Sequence, residues 1–67
     1  MTDTNYTPEE LLGPHGRTVV RDTVNMCKNV MGLSEDATIN SVAKKFSYDA
    51  ELRKAAVAYA RQIYGSV

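Results

Sequence analysis

The sequence predicts an all-α protein, a small orthogonal or up-down bundle of three main helices at about 17–31, 35–46 and 48–64, preceded by a short helical turn at 8–12. Three observations carry this. Residues 47–65, SYDAELRKAAVAYARQIYG, form a long run with helical spacing, marked at both ends and free of internal Pro or Gly. Helix starts are also written at Thr7-Pro8-Glu9-Glu10 and at Ser34-Glu35-Asp36. Between those starts, apolar residues recur every three or four positions.

Residues 1–6 carry little apolar content and read as a flexible tail, leaving 7–67 as a single helical domain. Thr7 is placed to cap, Pro8 fits the first helical position, and Glu10 can complete a capping box. Gly13-Pro14 is expected to stop this turn almost at once, with Leu11 and Leu12 tucked over an end of the bundle as a lid or serving as a docking segment. The next helix, RTVVRDTVNMCKNVM, places Val20, Val24, Cys27 and Met31 on one face, widened by Val19, Thr23, Met26 and Val30. Gly32 closes it, and Leu33 can pack back in a Schellman arrangement.

Ser34 opens the third segment, where Glu35 and Asp36 complement the helix dipole and Ile39, Val42, Ala43 and Phe46 form the apolar stripe. Ser47 is the expected cap of the last helix. At about 100° per residue, Tyr48, Leu52, Ala55, Ala56, Tyr59 and Ile63 share its core face, and the alanines permit close approach of a neighbour. Ala50, Val57 and Tyr64 repeat every seven residues and make a second stripe, edged by Arg53 and Arg61.

A chain of 67 residues allows one domain. At this size only about 60% of the extended surface is buried on folding, which makes association as a homodimer one route to stability. Eight basic and eight acidic residues cancel, so no long-range field draws the chain to nucleic acid or an anionic membrane. The polar, acidic start is unlike a signal peptide, and no apolar run reaches membrane-span length. A cytoplasmic location is therefore expected, with the single Cys27 reduced.

No residue pattern predicts chemistry. His15 lacks a partner at ligand spacing, Cys27 sits in an apolar face, and Glu35-Asp36 are explained by capping. Neither a catalytic set, a cofactor site nor a metal site is expected. Residues 38–60 resemble a helix-turn-helix in outline, which would imply a small DNA-binding regulator acting as a dimer. Asp49 and Glu51, however, stand at the helix end that would meet phosphate. The favoured expectation is a non-enzymatic regulatory protein that acts by protein–protein contact, as an inhibitor, assembly factor or accessory subunit. Its expected partner-binding residues are Ala50, Arg53, Val57, Arg61 and Tyr64.

Overall fold

A computed structural model describes residues 6–67. The expected bundle is present: α1 (Pro8–Asn25), a wide π turn (Met26–Val30), α2 (Glu35–Lys45) and α3 (Ala50–Tyr64), with no strand among the described residues. Apart from Tyr6, the tail expected over residues 1–6 lies outside the described residues. Helix α3 lies against both α1 and α2, and its contact with α1 is the more extensive. The core consists of Leu12, Val20, Val24, Ile39, Val42, Phe46 and, from α3, Ala55, Ala56, Tyr59 and Ala60. Three small residues around one buried ring let α3 approach its neighbours closely.

The capping box at the start of α1 forms in full. The Thr7 N–H donates to Glu10 Oε1 at 2.9 Å, and the Glu10 N–H donates to Thr7 Oγ1 at 3.2 Å. Gly13-Pro14 ends the short N-terminal turn as expected, and the next helical segment follows directly across a kink, so that the two together make up α1. Only Gly13 leaves helical geometry, at φ 71° and ψ 176°, and Pro14 then occupies the first position of the resumed helix. Glycine alone reaches that backbone region without a steric penalty, and proline is pre-set for a first turn. The second helical segment thus starts at Pro14, ahead of the expected Arg17, and His15 lies in its first turn.

Across the kink the Arg17 Nη1 donates to the Glu9 carbonyl at 3.1 Å, and the Gln62 Nε2 donates to Glu9 Oε2 at 2.9 Å. The first bond braces the kink within α1, and the second ties the first turn to α3. Leu12 is buried there, whereas Leu11 is 40% exposed, so one of the two expected lid leucines performs that role.

The largest departure lies at the end of α1. Val20, Thr23, Val24 and Cys27 are buried as their spacing implies, but Met26, Val30 and Met31 point outward. Here the Met31 N–H donates to the Met26 carbonyl at 2.9 Å, a bond spanning five residues. In such a turn each residue advances through a smaller angle than in an α-helix. The apolar stripe therefore falls out of phase with the core after Cys27. Lys28 swings toward α3 and Met31 toward solvent. Gly32, at φ 70°, closes the turn, and the Leu33 N–H donates to the Cys27 carbonyl at 2.8 Å. That closure is one residue wider than the Schellman arrangement expected.

Ser34 caps α2 as expected, its Oγ accepting from the Ala37 N–H at 3.3 Å. Ser47, in contrast, does not cap α3. Phe46 leaves helical geometry and the chain makes a tight turn in which the Asp49 N–H donates to the Phe46 carbonyl at 3.2 Å. Asp49 then becomes the cap, its Oδ1 accepting from the Glu51 and Leu52 N–H groups at 3.0 and 3.1 Å. A carboxylate satisfies two orphan donors and also complements the helix dipole, so it outcompetes the serine hydroxyl two residues earlier. Tyr48 consequently precedes the helix and is 75% exposed instead of lying in the core, its ring stacked beside Phe46 at a centroid distance of 6.3 Å.

Candidate functional site

The α3 stripe is the first surface to place. Ala50, Arg53 and Arg61 are exposed, while Val57 and Tyr64 are half-buried and packed against the core. Tyr64 is also held by three polar interactions. Its hydroxyl donates to the Leu33 carbonyl at 3.2 Å, the Lys28 Nζ donates to the Tyr64 carbonyl at 2.6 Å, and the same ammonium lies 4.8 Å from the ring centre. This side chain ties the end of α3 to the closure of the wide turn. Arg61 Nη1 stands 3.7 Å from Glu35 Oε2, and both side chains are about half exposed, where such a pair contributes little.

The larger outward apolar area lies on the other side of the wide turn. Met26, Val30 and Met31 are 52%, 70% and 59% exposed. Positions four and five apart are neighbours around a π turn, so the three form one patch. Met26 and Met31 border a groove of about 560 Å³ between α1 and α2, with buried Thr23 and Cys27 beneath. Asp22 on α1 and Ser41, Lys44 and Lys45 on α2 complete its lining. Among the described residues the only ion pair is that of Arg61 with Glu35, so Asp22 is not within ion-pair distance of either lysine. Sequence periodicity assigned the two methionines and Val30 to the core face. An α-helical wheel carries no signal for a π turn.

A second cleft, of about 350 Å³, lies under the first turn of α1 and is lined by His15, Val19, Phe46 and Leu52 among others. It shares only Lys45 with the groove that holds Cys27, so the single histidine and the single cysteine line different depressions. Among the described residues no group of three His, Cys, Asp or Glu side chains is placed to hold a metal ion, and no helix is long and apolar enough to cross a membrane. Glu35 and Asp36 sit in the first turn of α2, where they complement its dipole.

What fold and surface define is a small three-helix bundle with an adaptable, methionine-bordered groove. Comparison with protein-family models, with curated proteins and with solved structures found no match.

Proposed function

We propose that this protein is non-enzymatic and acts by protein–protein contact, as an inhibitor, an assembly factor or an accessory subunit, with the groove beside the wide turn as its principal surface. One observation carries the reading: Met26, Val30 and Met31 leave the core together at the π turn. Two unbranched thioethers can repack against differently shaped partners, and methionine is over-used at surfaces of this kind. Asp22 on one side and Lys44-Lys45 on the other supply directed polar contacts at the edge. The α3 stripe is the secondary face, with exposed Arg53 able to make hydrogen bonds at a rim and Arg61 beside Glu35.

The helix-turn-helix alternative is disfavoured by the Asp49 cap. Its carboxylate already occupies the N–H groups at the start of α3 that would otherwise meet a phosphate.

Affinity recovery of a protein partner tests the proposal. Recovery should be lost with Met31→Asp or Val30→Asp while helicity measured by circular dichroism is unchanged. Recovery that survives both substitutions, or salt-dependent retardation of DNA with no protein partner, would overturn it.

A further inference from the structure

Resting on the reading of this groove as a contact surface, we infer that its occupant is a second copy of the same chain, docked about a two-fold axis so that Asp22 of each copy meets Lys44 and Lys45 of the other. The groove carries opposite charges from different helices, acidic from α1 and basic from the end of α2. Among the described residues, none of Asp22, Lys44 and Lys45 is engaged in an ion pair. A two-fold interface requires a self-complementary patch, in which residue i of one copy meets residue j of the other and the reverse. A patch that holds both signs on separate elements satisfies this requirement twice in one interface.

The remainder of the surface agrees with the same geometry. Met26 and Met31 are flexible enough to interleave with their own symmetry mates near the axis. A formal net charge of zero leaves no long-range repulsion between copies. A chain this short also has more to gain from burying an exposed apolar trio than a larger domain has.

The test is a charge exchange read by sedimentation equilibrium on the whole chain. Wild type should sediment with twice the chain mass. Asp22→Lys alone and the double variant Lys44→Glu, Lys45→Glu alone should each raise the dimer dissociation constant by about tenfold or more, because like charges then face each other. An equimolar mixture of the two variants should recover the dimer, since every facing pair is again opposite in sign, and recovery also shows that both variants are folded. A wild type that stays monomeric at about millimolar concentration, variants that dimerise alone, or a mixture that stays monomeric would each overturn the second copy as occupant. The proposed function is judged separately: a monomeric wild type whose protein partner is lost on Met31→Asp would overturn this inference and leave the contact role standing.

Discussion

The ammonium of Lys28 lies over the ring of Tyr64, 4.8 Å from its centre, and donates to the Tyr64 carbonyl oxygen at 2.6 Å. One lysine thus engages both the face of an aromatic ring and an unsatisfied carbonyl at the C-terminal end of α3. Because Tyr64 returns a hydroxyl bond to Leu33, the wide turn and the end of α3 hold each other in place. The exposed surface at Met26 and Met31 depends on a turn that is fixed from the opposite side.

Removing the hydroxyl alone isolates one part of this arrangement. Tyr64→Phe should cost about 1 kcal/mol, and Tyr64→Ala about 3 kcal/mol, since it also deletes the ring that packs on the core. In a domain of this size about 1 kcal/mol corresponds to a fall in Tm of roughly 4–8 °C, measurable by thermal circular dichroism. Equal Tm values for Tyr64→Phe and wild type would remove the hydroxyl from the account.

Thr38 should behave in the opposite sense. It is fully buried, and its Oγ1 has no hydrogen-bond partner among the described residues. Thr38→Val keeps the branched shape and removes the unsatisfied hydroxyl, so it should stabilise by about 1 kcal/mol. A destabilised Thr38→Val in chemical denaturation would show that the hydroxyl is satisfied in solution.

The kink in α1 makes a contrast between two glycines. A Cβ at Gly13 would meet nothing within 4 Å, yet φ is 71°. Gly13→Ala should therefore cost about 1–3 kcal/mol through backbone strain alone. At Gly16 the difficulty is contact, because a Cβ would lie 2.9 Å from Leu12 Cβ. Gly16→Ala should displace the first turn, seen as faster amide exchange over residues 8–12 with the rest of the bundle unchanged. Unchanged exchange there would mean that Leu12 accommodates the methyl group.

Burial separates the sulfur atoms into two classes. Cys27 is buried, whereas Met26 and Met31 are more than half exposed. Dilute peroxide should convert Met26 and Met31 to sulfoxides while a thiol reagent labels native Cys27 slowly, and denaturant should make Cys27 react at the rate of a free thiol. Rapid labelling of the native protein would overturn the buried assignment.

The helical class, two of the helix starts and most of the core are legible in the residues themselves. Thr7, Pro8 and Glu10 act within one turn of chain, as do Ser34 and the acidic residues after it, so local chemistry decides them. Ala55, Ala56 and Tyr59 follow a regular period from a well-marked start, and the periodicity held. At the α2–α3 corner two capping residues competed, and the carboxylate of Asp49 prevailed over Ser47 because the turn after Phe46 spends two more residues than a direct junction.

What only the tertiary structure decided is the phase of the chain after Cys27. A helical wheel assumes a constant angle per residue, and under that assumption Met31 belongs with Val20 and Val24. Lys28 reaches across to Tyr64, 36 positions later, and the turn that permits this is wide enough to carry Val30 and Met31 outside, next to the exposed Met26 that opens it. An interaction between residues so far apart in sequence leaves no mark on the local pattern, which is why the sequence determined the helices and the core while the folded chain determined which apolar side chains were left for a partner.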